Sequence, residues 1–166
     1  MTELQKIAPL FEGWEETMVW SCLQGVMGRA ACSADGSSGM IVQRDFTFLA
    51  GRPDATLLAK APGPILVPRT ADWRPVIETF FGPRAIPETR YAIQKEPDVF
   101  DRGKLERFAS SLPPGYELHL IDEAMVPTLL SEAWSRDFCA AFDSPADCCA
   151  RGVGVAALYD GVPVAG

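Results

Sequence analysis

SSLPPGYELHLIDE, residues 110–123, contains the sharpest break in the chain. Pro113-Pro114-Gly115 cannot continue a helix, so the amphipathic run DRGKLERFASSL (Asp101–Leu112) must end there. The next residues, YELHLI (Tyr116–Ile121), alternate as a strand does. Asp122 can then cap a helix over EAMVPTLLSEAW, which Pro127 kinks or delays. The break predicts a mixed N-terminal α/β domain over 1–113 and a second unit over 114–166.

Working downstream, SRDFCAAF reads as a second helix. Ser144-Pro145-Ala146-Asp147 supplies a cap, a first-turn proline and an acid, so a short helix is expected up to Gly152. GVGVAALYDGVPVAG (Gly152–Gly166) reads as a β-hairpin turning at Asp160-Gly161. Working upstream, ETRYAIQKE (Glu88–Glu96) alternates as a strand. WRPVIETFF reads as a helix capped from Thr70-Ala71-Asp72. ILVP (Ile65–Pro68) reads as a buried strand, and DATLLAKA as a short helix opened by Pro53. RAACSA, MIVQ and FTFLAG form an expected meander. Glu15–Met27 has apolar residues at helical spacing, with Gly28 at its end and Glu15 and Glu16 favouring its N-terminus. Trp14, Trp20 and Trp73 are expected core anchors.

Nearly half the residues are apolar and 22% are charged, a globular composition rather than a disordered one. No apolar run approaches the roughly 18 residues of a membrane span. The N-terminus lacks the pattern of a signal peptide, so a cytoplasmic protein is expected. Five cysteines, Cys22, Cys32, Cys139, Cys148 and Cys149, include no CxxC pair, and His119 is the sole histidine. Reduced thiols and no metal site are expected. The net charge of −7 is uneven: residues 1–113 hold 13 Lys and Arg against 14 Asp and Glu, and residues 114–166 hold 2 against 8. With no basic stripe, nucleic acid is a poor partner. An acidic surface either attracts a cationic amine or serves solubility.

Four stretches carry a family resemblance: ETMVWSCLQGVMG (Glu16–Gly28), RYAIQKEPDVFD (Arg90–Asp101), SSLPPGYELHLIDE (Ser110–Glu123) and SEAWSRDF (Ser131–Phe138). Together they resemble the bacterial GNAT acetyltransferases that place an extra N-terminal domain ahead of the catalytic one. The resemblance implies an α/β (α+β, mixed-sheet) fold and transfer of an acetyl group from acetyl-CoA to a small-molecule or peptide amine. On element order alone, the N-terminal part reads as a degenerate copy of the same unit.

Such enzymes cradle the CoA pyrophosphate on a Q/R-x-x-G-x-G/A turn that leaves a strand for a helix. That pattern does not occur in these 166 residues. RGVGVA (Arg151–Ala156) leads into a strand rather than out of one. LAGRPDAT (Leu49–Thr56) sits at the right kind of turn but lacks the paired glycines. The expectation is therefore a C-terminally truncated acetyltransferase, inactive alone, with no cofactor-binding residue in this chain and an open edge at VPVAG that invites a homodimer. A non-catalytic binding protein built on the N-terminal domain is the alternative. The resemblance places an acceptor wall at Glu132, Trp134 and Arg136: a charge for the amine, a stacking surface and a carboxylate fork. Each also has a plain structural reading, as an exposed helical acid, a packed ring and a helix-start ion pair. His119 with Ser110 or Ser111 offers no nucleophile elbow, so a hydrolase triad is not expected.

Overall fold

The computed structural model describes residues 2–91, 93, 96 and 98–166. Its contacts divide the chain into two compact units, Met1–Glu88 and Thr89–Gly166. Pro113–Gly115, the boundary read from sequence, thus lies inside the second unit. Of the strand expected over 88–96, residues 92, 94 and 95 lie outside those described, and the described ones carry no strand.

The first unit opens with a helix the sequence reading passed over. α1 (Glu3–Phe11) starts at a reciprocal capping box: Gln5 N donates to Thr2 Oγ1 at 3.2 Å and Thr2 N donates to Gln5 Oε1 at 2.9 Å. It buries Ile7 and Phe11. α2 spans only Thr17–Leu23, with the Glu16 carboxylate accepting from Met18 N. It stops short of the expected Met27 because Gly25 takes a φ of +71°, which ends the helical path. Trp20 does not anchor the core. Val19 and Cys22 set the buried face of α2, and Trp20, one residue round from Val19, is 44% exposed.

β1 (Arg29–Cys32), β2 (Ser38–Gln43) and β3 (Phe46–Gly51) form the expected antiparallel meander. α3 (Ala55–Leu58) then crosses to β4 (Ile65–Pro68), which runs parallel to β3. Pro53 lies before the helix rather than in its first turn, and Asp54 is the cap of α3. α4 (Trp73–Phe81) follows, starting at Asp72 without a side-chain cap bond. The sheet order is β1-β2-β3-β4. Its residues alternate between two helical layers. Ile41, Phe48 and Ala50 pack with Ile7, Phe11, Val19 and Cys22. Met40, Val42 and Leu49 pack with Leu57, Leu58 and Trp73. Both faces are covered, which is why MIVQ and FTFLAG read as nearly continuous apolar runs.

Arg69 ties this unit together. Its guanidinium donates to the carbonyls of Leu10 and Glu12, where α1 ends with no basic residue in its own last turn. A cation from the end of β4 thus meets the negative end of α1. Arg69→Met, which keeps the apolar stem, is expected to lower stability by about 1–2 kcal/mol, and Arg69→Lys by less. Chemical denaturation of the three proteins checks this; an unchanged midpoint in Arg69→Met would refute it.

In the second unit, α5 (Arg102–Ser110) begins at Asp101, whose carboxylate accepts from Lys104 N at 2.9 Å. β5 (Tyr116–Leu120) follows the Pro-Pro-Gly break. α6 covers only Val126–Ser131, because Pro127 belongs in a first turn; Asp122 caps the turn before it, accepting from Met125 N at 2.9 Å. α7 (Arg136–Cys139) is a single turn, shorter than SRDFCAAF suggests. α8 (Pro145–Arg151) is capped by Ser144 as expected. β6 (Val155–Tyr159) and β7 (Val162–Ala165) form the hairpin, and the sheet order is β5-β6-β7, all antiparallel. Asp160 and Gly161 have φ of 46° and 80°, the left-handed pair of a two-residue hairpin turn. Val126, Leu129, Cys139 and Cys148 form the buried cluster. Among the described residues, no helix is long and apolar enough to cross a membrane.

Candidate functional site

The α6–α7 connection carries the three residues expected to line an acceptor site. It is a tied structure. Buried Ser135 donates its hydroxyl to Leu129 O at 2.8 Å, and Arg136 Nε donates to Leu130 O at 3.2 Å. Arg136 N donates to Glu132 O at 3.0 Å. Two of the last carbonyls of α6, those of Leu129 and Leu130, thereby gain partners. Arg136 is thus partly committed to a backbone carbonyl, which limits it as a carboxylate fork. Glu132 is exposed. Trp134 is 44% exposed and meets Phe138 edge-on, at 5.8 Å between centroids and 84° between planes. The connection therefore offers one aromatic surface and one carboxylate to solvent, on a backbone fixed by Ser135. The resemblance places Ser135 in the same wall, but its burial and its bond to Leu129 O were not foreseen, since a serine in SEAWSRDF carries no sign of burial.

Neither glycine-bearing turn is built for a phosphate. In RGVGVA, Arg151 closes α8 and pairs with Asp147 at 2.8 Å. A Cβ at Gly152 would press on Phe142 and the Cys148 carbonyl, and one at Gly154 would press on Ile121. These glycines permit close packing. At the turn from β3 to α3, the free N–H groups already have an anion. The Asp54 carboxylate accepts from Thr56 N at 2.8 Å and from the Thr56 hydroxyl at 2.7 Å. These bonds, the hydroxyl first, hold the Asp54 carboxyl below its ordinary range. Asp35 is held further down by the Ser33 hydroxyl first and by Ser37, and it pairs with Arg52 of the same turn at 3.0 Å. A pyrophosphate arriving here would meet two carboxylates.

His119 bonds Glu117 Oε2 through Nε2 at 2.8 Å on the surface of β5. The Ser110 and Ser111 hydroxyls donate to carbonyls of α5 instead. The triad reading has no geometry behind it. The five cysteines are free thiols. Burial raises Cys22 and Cys149, and it raises Cys148 to about 11 with help from the adjoining Cys139. At neutral pH these groups are protonated and poor nucleophiles. Among the described residues, no group of three His, Cys, Asp or Glu is placed to hold a metal ion.

A family model described as GNAT acetyltransferase matches residues 8–166. The chain belongs to the GNAT acetyltransferase family. A solved structure supports the assignment, that of a GCN5-related N-acetyltransferase-like protein from Streptococcus suis 89/1591. It is 33% identical, with a TM-score of 0.84, and the match covers 98% of this chain and 68% of that one. No curated protein sequence matches. For a GNAT acetyltransferase, the arrangement here is uneven. The α6–α7 connection is tied by side-chain bonds and presents polar and aromatic side chains, while the β3–α3 turn already holds the Asp54 carboxylate.

Proposed function

We propose that this chain serves an N-acetyltransferase by forming its acceptor side, and that these 166 residues do not themselves hold acetyl-CoA. The reaction class is transfer of an acetyl group from the thioester to a neutral amine, in a cytoplasmic enzyme. The observation that carries the proposal is the closed β3–α3 turn, where Asp54 already caps the helix start within a chain of GNAT membership. On the acceptor side, Glu132 would attract an ammonium group and Trp134 would supply a face for it or for its apolar neighbour. Arg136 would act by holding the connection in shape. The first unit, Met1–Glu88, is read as an N-terminal domain of degenerate GNAT-like form, and the β1-β2-β3-β4 order with one helical crossover supports that reading. The acceptor is expected to be a small-molecule or peptide amine.

Calorimetric titration of the chain with acetyl-CoA tests the proposal. No saturable heat is expected at concentrations up to about 100 μM, short of the −8 kcal/mol that micromolar binding needs. A micromolar dissociation constant would overturn it. The other reading, a non-catalytic binding protein built on the N-terminal domain, is also compatible with a missing acetyl-CoA site. It separates from the first by its response to amines: Trp134 and Glu132 lie in the second unit, so loss of amine binding on Trp134→Ala favours the acceptor reading.

A further inference from the structure

Residues 114–166 contain two cationic side chains, Arg136 and Arg151, against eight carboxylates. Both cations have partners. Arg151 Nε pairs with Asp147 Oδ1 at 2.8 Å, one turn back along α8. Arg136 Nε donates to Leu130 O at 3.2 Å. That bond occupies the edge a guanidinium offers, through Nε and one Nη, for a bidentate grip on a carboxylate. His119 is bonded to Glu117 at 2.8 Å. Along the connection itself, residues 132–138, Arg136 stands with two acids, Glu132 and Asp137. Trp134, 44% exposed, lies in the same stretch, its ring set edge-on to Phe138.

We propose that the acceptor is an amine with an apolar body and no acid group beside its nitrogen, and that α-amino acids are excluded. The inference rests on the acceptor reading of Glu132 and Trp134 and adds the class of amine. An α-amino acid carries its carboxylate one carbon from its ammonium, so the two charges arrive together. Its ammonium would meet Glu132, but its carboxylate would meet the same acids with no bidentate partner. Like charges at that range repel, and desolvating a carboxylate without a partner adds to the cost. Selection of this kind works by rejecting the competitor rather than by an added contact to the acceptor. An amine without the acid loses nothing at the connection. Its ammonium keeps the attraction of Glu132, and its apolar body can lie against Trp134. A lysine side chain in a peptide meets the same condition, since no free carboxylate adjoins its nitrogen.

Three probes that share one phenethyl body test this: phenethylamine, phenylalanine and phenylalanine amide. Each is titrated into the full chain and followed by 1H–15N NMR. The ionic strength is held at about 10 mM, where surface charges are least screened. The pH is held at about 6, below the α-amino range. Phenethylamine and the amide should shift the backbone signals of residues 132–138 and bind about five- to tenfold more tightly than phenylalanine. The amide has the size of the amino acid without its negative charge, so it separates repulsion from bulk. Glu132→Gln, at an exposed position, should weaken both amines about threefold and narrow their lead over phenylalanine. Phenylalanine binding as tightly as phenethylamine, with all three probes lost in Trp134→Ala, overturns this inference alone. So does an amide that binds no more tightly than phenylalanine, or a lead left unchanged in Glu132→Gln. Binding of none of the probes, or binding untouched by Trp134→Ala, overturns the acceptor reading beneath it.

Discussion

Trp73→Ala is expected to destabilise the chain by about 4 kcal/mol, as full truncation of a buried tryptophan does. Trp73 is fully buried at the start of α4, packed with Met40, Val42, Leu49, Leu57 and Leu58. It is the largest side chain in that layer, and its neighbours come from the sheet and from α3. Collapse around the gap would have to move both. Among the described residues, the indole Nε1 has no hydrogen-bond partner. A buried donor left unpaired offsets part of what the ring contributes. Trp73→Phe removes that donor with only part of the ring, so it should cost less than half as much as the alanine. Urea denaturation followed by circular dichroism compares the three proteins. Equal losses for Phe and Ala would show that the indole N–H contributes a bond, most simply to an internal water.

Gly51→Ala is expected to cost about 3 kcal/mol, from left-handed backbone strain and overpacking together. Gly51 ends β3 with a φ of +80°, a conformation that a side chain disfavours. An added Cβ would also collide with the Ser37 carbonyl oxygen and lie 3.2 Å from Leu10 Cδ1. The same oxygen accepts from Arg52 N at 2.9 Å, so relief of the collision breaks that bond. Backbone cannot rotate aside as a flexible side chain can. Gly36→Ala is the companion variant: its φ of +70° carries the strain alone, with nothing within 4 Å of the added carbon. Thermal unfolding should rank wild type above Gly36→Ala and Gly36→Ala above Gly51→Ala. Equal melting points for the two variants would remove the collision from the account.

Much of the architecture was legible because its signals are local. The Pro-Pro-Gly break, the Ser144 cap and the Asp160-Gly161 turn each follow from side-chain chemistry within four residues. α4 matches WRPVIETFF residue for residue. α1 was open to the same reasoning, since Thr2 and Gln5 spell a capping box; Pro9 within it masked the pattern. The early stop of α2 was not legible, because glycines stand at both 25 and 28 and tertiary contacts decide which one turns the chain. Gly28 is held against Val42 O and Cys22. In the candidate site, the absence of a phosphate motif could be read from spacing. Its physical counterpart could not. Asp35 and Arg52 meet only because β2 and β3 are paired in one register. Ser135 was equally hidden, since its burial depends on how α7 folds back on α6.

That register has a consequence for how the first unit reaches its structure. Met40 and Ile41 point to opposite layers, and so do Leu49 and Phe48. Because both layers are apolar, sliding β2 by one residue against β3 would still bury greasy side chains on each side. Hydrophobicity alone thus discriminates weakly between the native pairing and its neighbour. Discrimination falls to two small features. Arg44, with φ of 52°, fixes the length of the turn. Gly39 leaves room for Ile7 and Phe11, which an added Cβ would crowd to 3.0 Å. A slipped hairpin would present Ser38 or Met40 to α1 where only glycine fits. Docking of α1 on this sheet therefore discriminates against the slipped pairing.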